Sequence, residues 1–74
     1  METKRSTGFL AWEGEEIFEG DTLETRAGTL GTAVEIDGVW MFQETTTRPN
    51  PMRFTLDISR ALSFKEGHSV LRKK

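Results

Sequence analysis

Few residues in this chain have types and spacing that could support chemistry. His68 is the only imidazole, and Ser69 follows it directly. A base and nucleophile must share one side of the backbone, whereas neighbours in a strand point to opposite faces. His68 is therefore expected at a surface or strand edge, not in a catalytic dyad. Glu13, Glu15, Glu16, Glu19 and Asp21 form an acidic run. Its spacing fits no calcium loop, and the intervening glycines place it in turns, so a solvated face is expected. Mimicry of nucleic acid toward a DNA-binding partner is a second use for such a run. Ala27 to Gly31 holds two glycines but lacks the lysine and following helix of a phosphate loop. Cysteine is absent, which excludes disulfides and thiolate metal sites. No enzyme activity, cofactor or metal is expected.

Binding chemistry is better represented. Residues 1–44 carry ten acidic and three basic side chains, and residues 45–74 carry two acidic and seven basic ones. Such a split implies polyanion contact by the basic half, head-to-tail self-association, or mutual neutralisation inside one fold. Arg48, Arg53, Arg60 and Lys65 are the candidate nucleic-acid contacts, with Trp40 or Phe42 as a stacking surface. A pI of 5.3 counts against that use.

The elements that must position these residues are strands. Asp37-Gly38 sits between alternating residues and predicts a two-residue type I′ turn, because both central positions need positive φ. The register then follows: Ile36 opposite Val39, Val34 opposite Met41, Thr32 opposite Gln43, Glu35 opposite Trp40, and Ala33 opposite Phe42. Val34, Ile36, Val39 and Met41 share one face, which is expected to be the core side. Trp40 and Phe42 lie on the other, beside Glu35. Trp40, Phe42, Glu35 and Trp12 are accordingly the candidate partner-binding residues, since aromatics dominate binding hot spots. The competing expectation is that Phe9, Leu10 and Trp12 fold across that face and bury it. Arg53 to Ile58 alternates as a strand, with Phe54, Leu56 and Ile58 inward, and Ser59 to Leu62 suits one helical turn capped by Ser59. Residues 68–71 can close the sheet.

Seventy-four residues make one domain, expected over 8–72 after a polar tail at 1–7. At this size folding buries only about 60% of the unfolded surface, so self-association is an expected source of extra stability. No apolar run approaches the roughly 20 residues of a membrane helix, and the polar start lacks a secretory hydrophobic segment. A cytoplasmic location, in the cell that makes the chain, is expected.

Short strands with turns every few residues indicate an all-β domain: a small barrel or a strongly bent antiparallel sheet of five to six strands with one helical turn. Ile17-Phe18-Glu19-Gly20-Asp21 leading into a strand, then a hairpin from Val34 to Trp40, resembles the SH3-like small β-barrels. More narrowly, it is similar to the YopX-like proteins of bacteriophages and prophages, with Phe18 in place of the usual tyrosine. The resemblance implies a mobile-element origin and a β-barrel core, and it transfers no catalytic residue. The expected function is that of a small regulatory module that binds a host or phage protein, inhibition of a host protein being one outcome. The alternative is a nucleic-acid-binding small barrel.

Overall fold

Asp37 and Gly38 both adopt positive φ, at 52° and 80°, and the turn they make sets the register of the central hairpin. All five expected cross-strand pairs are present between β4 (Leu30–Ile36) and β5 (Val39–Glu44). The structure, a computed structural model, describes residues 4–74. Before the hairpin come β1 (Ser6–Leu10), β2 (Glu16–Phe18) and β3 (Thr22–Glu24); after it come β6 (Arg53–Thr55), α1 (Leu56–Ala61) and β7 (Arg72–Lys73). β1 and β2 form a two-stranded antiparallel ribbon. The other strands form a five-stranded antiparallel sheet in the order β6-β5-β4-β3-β7. This is an all-β domain, but the two sheets do not close into a barrel. The strand structure begins inside the stretch expected as a tail. Residues 1–3 of that stretch lie outside the described residues, whereas Ser6 and Thr7 are strand, and the Thr7 hydroxyl is buried on the Ile17 carbonyl at 2.7 Å.

One acidic turn carries the chain from the ribbon into the larger sheet. Asp21 Oδ2 accepts the Phe18 N–H at 2.8 Å, and the Asp21 N–H returns to the Phe18 carbonyl at 3.1 Å. Gly20 N and Asp21 O then bracket Ala33 on β4, at 2.8 and 3.1 Å. The bend therefore stitches β2 and β3 to the hairpin with backbone bonds.

The buried apolar cluster is Ala11, Ile17, Leu23, Ala33, Phe42, Leu56 and Leu71, with Phe9, Trp40 and Phe54 packed against it. The expected core face of the hairpin is thus reversed. Ala33 and Phe42 are fully buried, whereas Val34, Ile36 and Met41 are half-buried and Val39 is 46% exposed. The reason is steric. A Cβ at Gly31 would lie 2.5 Å from Phe42 Cζ and against the Gln43 carbonyl oxygen, so the Phe42 ring occupies the space that Gly31 leaves. Phe42 also stacks on Phe54 of β6, with ring centroids 4.9 Å apart and planes at 25°. Small residues on β4 make a socket for one large ring, and that fit places this face inward.

The strand expected over 53–58 ends three residues early. Thr55 Oγ1 accepts the Ile58 N–H at 3.2 Å and caps α1, with Asp57 in the first turn and Arg60 in the last, charges suited to the helix dipole. Leu56 is fully buried as expected. Ile58, moved from strand to helix, is 51% exposed. Ser59 is not the cap but a buried residue on the inner side of the helix.

The last seven residues tie three distant parts of the chain together. Ser69 N bonds Leu10 O, Val70 N bonds Ser59 O, Trp12 N bonds Leu71 O, and Lys74 N bonds Thr22 O, all at 2.8–3.0 Å. Beneath them runs a buried hydroxyl chain: Leu71 N–H to Ser69 Oγ at 2.9 Å, Ser69 Oγ to Ser59 Oγ at 2.9 Å, and Ser59 Oγ to the Leu56 carbonyl at 2.6 Å.

Candidate functional site

The hairpin offers two different surfaces. On its outer face Val34, Ile36, Val39 and Met41 are contiguous through the pairs Val34–Met41 and Ile36–Val39, and none joins the core cluster. Next along the strands come Thr32 and Gln43, and Thr55 stands beside Met41 on β6. None of those seven residues is charged, and Arg53, opposite Gln43 on β6, stands at the border of this patch. Leu30, 44% exposed, lies further along the same face of β4.

On the inner face the expected aromatic surface is divided. Phe42 is sealed in the core and offers nothing to a partner. Trp40 is half-buried, with the Arg5 guanidinium 5.2 Å from its ring centroid. Arg5 also bonds Glu19 and Glu35, at 2.9 and 3.0 Å. Those carboxylates, the Glu19 hydrogen bond foremost, raise the Arg5 pKa above its ordinary value, and the same bond lowers that of Glu19. Glu35 is therefore one arm of a bridge that holds Arg5 over Trp40. Cover comes from Arg5, just before β1, and from Phe9 and Ile17 of the β1–β2 ribbon. Of the three residues expected to provide it, Phe9 packs on the core, whereas Leu10 and Trp12 lie outside the cluster.

Trp12 belongs to a separate group. Lys65 Nζ lies 5.1 Å and the Arg26 guanidinium 5.6 Å from its ring centroid. Its carbonyl accepts from both Lys65 Nζ at 2.9 Å and His68 Nδ1 at 3.0 Å. His68 thus fixes a turn, while Ser69 points to Ser59 in the core. The four candidate partner residues do not form one surface.

No protein-family model, curated protein or solved structure matches the chain. Its own geometry carries the functional reading.

The candidate nucleic-acid residues are dispersed as well. Arg48 bonds Glu44 and Thr46 within the 45–52 loop, Arg60 pairs with Asp57 and lies 4.9 Å from the Phe9 ring centroid, and Arg53 stands on β6 at one edge of the sheet. The Glu44 pKa is lowered, chiefly because its carboxylate accepts the Met52 N–H at 2.9 Å. Lys73 of β7 and the adjoining Lys74 neutralise part of the acidic half, meeting Asp21 at 3.2 Å and Glu24 at 3.6 Å respectively. In the acidic run Glu16 accepts from Ser6, Glu19 holds Arg5 and Asp21 holds Lys73. Among the described residues no three His, Asp or Glu side chains converge as metal ligands, and no helix is long and apolar enough to cross a membrane.

Two residues escape the sequence reading. Phe64 lies in the turn after α1, 86% exposed, and Arg26 stands against it at 5.4 Å. An aromatic outside every alternating segment has no core face to occupy, which is the signal that could have marked Phe64.

Proposed function

We propose that this chain is a small non-enzymatic binding module that docks a protein partner on the outer face of its β4–β5 hairpin. The observation that carries this reading is the contiguous set Val34, Ile36, Val39 and Met41, left outside the core and bordered by Thr32, Gln43 and Thr55. The centres of protein interfaces are depleted of charge, whereas a surface that holds a polyanion needs cations. The partner is therefore a protein whose contacting surface is apolar and uncharged at its centre. The SH3-like and YopX-like resemblance of Ile17 to Asp21 adds a bacteriophage or prophage setting, with a host protein in the bacterial cytoplasm as target.

The test is a Val34→Lys, Met41→Lys double variant compared with the parent chain in two assays. One is capture of identified host proteins from bacterial lysate; the other is molar mass by light scattering. A specific partner retained by the parent and lost by a folded variant supports the reading. A parent dimer that the variant splits identifies the partner as a second copy. Identical capture and mass would sink it.

A further inference from the structure

The cations that the fold leaves unpaired point to a second, unrelated binding site. Lys4, Arg26, Arg53, Lys65 and Arg72 meet no carboxylate within ion-pair distance among the described residues, unlike Arg5, Arg48, Arg60, Lys73 and Lys74. Arg26 and Arg72 line one open cleft of about 280 Å³, together with Glu24, Thr25, Gly28 and Val70. The single acid there, Glu24, faces Lys74 Nζ at 3.6 Å. Arg26 is held by a closed turn: Thr25 N bonds Thr29 O at 2.9 Å, Gly28 N bonds Thr25 O at 3.0 Å, and Thr29 N bonds Thr25 Oγ1 at 3.1 Å. Its guanidinium reaches Trp12 at 5.6 Å and Phe64 at 5.4 Å.

Each part of this arrangement suits one part of a nucleotide. Guanidinium groups bind phosphate oxygens in pairs and strongly. Phe64 is 86% exposed, so one face of its ring is open to a planar base, and bases of any identity stack on aromatic rings. We propose that the Arg26–Arg72 cleft binds a nucleotide, its phosphate on the two arginines and its base on Phe64. The nucleotide is either free or a unit of a single strand, and both present the same phosphate and ring. The site differs from the set expected from sequence, because Arg48, Arg53 and Arg60 contribute nothing to it. It also lies at the end of the sheet remote from the Asp37-Gly38 turn, since Glu24 pairs with Leu30 and Arg72 pairs with Glu24. It does not depend on the protein-docking face.

Fluorescence anisotropy with a labelled ten-residue oligothymidylate tests the proposal, with thymidine monophosphate and inorganic phosphate as competitors. Arg72→Glu and Arg26→Glu are expected to weaken binding at least tenfold. Phe64→Ala, which removes no buried contact, should weaken it roughly 5- to 150-fold, the range for one stacked base. Arg53→Glu makes the same charge change on the opposite edge of the sheet and should leave affinity within about twofold, as fits a local site rather than a general field. Tight binding of the oligomer with weak competition by the monophosphate identifies a single-strand site. Equal affinity for the monophosphate identifies a free-nucleotide site. The proposal fails if neither probe binds, if inorganic phosphate competes as well as the monophosphate, or if Arg53→Glu and Arg72→Glu lose affinity equally.

Discussion

The inner face of the β4–β5 hairpin carries Gly31, Ala33, Glu35, Trp40 and Phe42, while its outer face carries Val34, Ile36, Val39 and Met41. By residue type the outer face is the more uniformly apolar, yet the inner one is buried. Phe42, with Gly31 and Ala33 around its ring and Phe54 stacked on it, forms a fit that four similar aliphatic side chains cannot make with anything else in the chain. The difference teaches that burial follows the availability of a matching surface, and that average hydrophobicity is a poor guide when a domain has only one layer to place on its sheet. The aliphatic face is left outside the core cluster.

The sharpest way to break this comparison is Phe42→Ala. Loss of a buried Phe typically costs about 3–5 kcal/mol, and stabilities of the smallest domains lie near ~5 kcal/mol. The variant should lack a cooperative melting transition by circular dichroism. A folded Phe42→Ala protein would show that the inner face is not what holds the domain together. Ser69→Ala comes second. It strips the Leu71 N–H and Ser59 Oγ of their partner in a buried site, which costs roughly 1–3 kcal/mol, and chemical denaturation should register that loss with the fold retained.

Outer-face changes should be gentler. Val39→Thr, at a position 46% exposed, is expected to alter stability by less than about 0.5 kcal/mol in the same denaturation assay. A loss comparable with that of Phe42→Ala would mean that the outer face is covered within the monomer. Acid dependence gives the smallest effect, because only two carboxylates are concerned and one of them, Glu19, has a solvent-exposed side chain. Glu19 and Glu44 have pKa values lowered from an ordinary 4.5, by Arg5 and by the Met52 N–H respectively. Their contribution is present above 4.5 and is lost as pH falls through the lowered values. Unfolding midpoints in urea should decline on acidification below 4.5, and Glu44→Gln should make that decline shallower. An unchanged slope would remove Glu44 as the clasp of the 45–52 loop.

Much of the local structure was legible in the sequence. Asp37-Gly38 dictates its turn through φ, and the turn dictates every pairing in the hairpin. The choice of face was not legible, because pairing fixes which residues share a side but not which side is covered. That depended on Ile17 and Phe9, which reach the hairpin from the ribbon and lie 16 or more residues earlier in the chain than Ala33. Alternation likewise carried the Arg53 strand through Ile58. The Thr55 cap bond to Ile58 N, a matter of side-chain geometry, ended the strand at Thr55. The basic residues could be counted from sequence, but which of them remain without a carboxylate could not. That follows from β7 pairing with β3 across nearly fifty residues, which places Lys73 and Lys74 on acids and leaves Arg72 without a carboxylate among the described residues.

The final strand also has a consequence for biosynthesis. Residues 68–74 supply Ser69 and Leu71 to the interior and bridge the chain at Leu10, Trp12, Thr22 and Ser59. A nascent chain that has not yet emerged through residue 74 lacks these contacts, so the hairpin can form before the native interior can. The interior is completed only when residues 68–74 reach back to residues 10–22, contacts of high sequence separation that form late. During that interval the hairpin exposes both of its apolar faces.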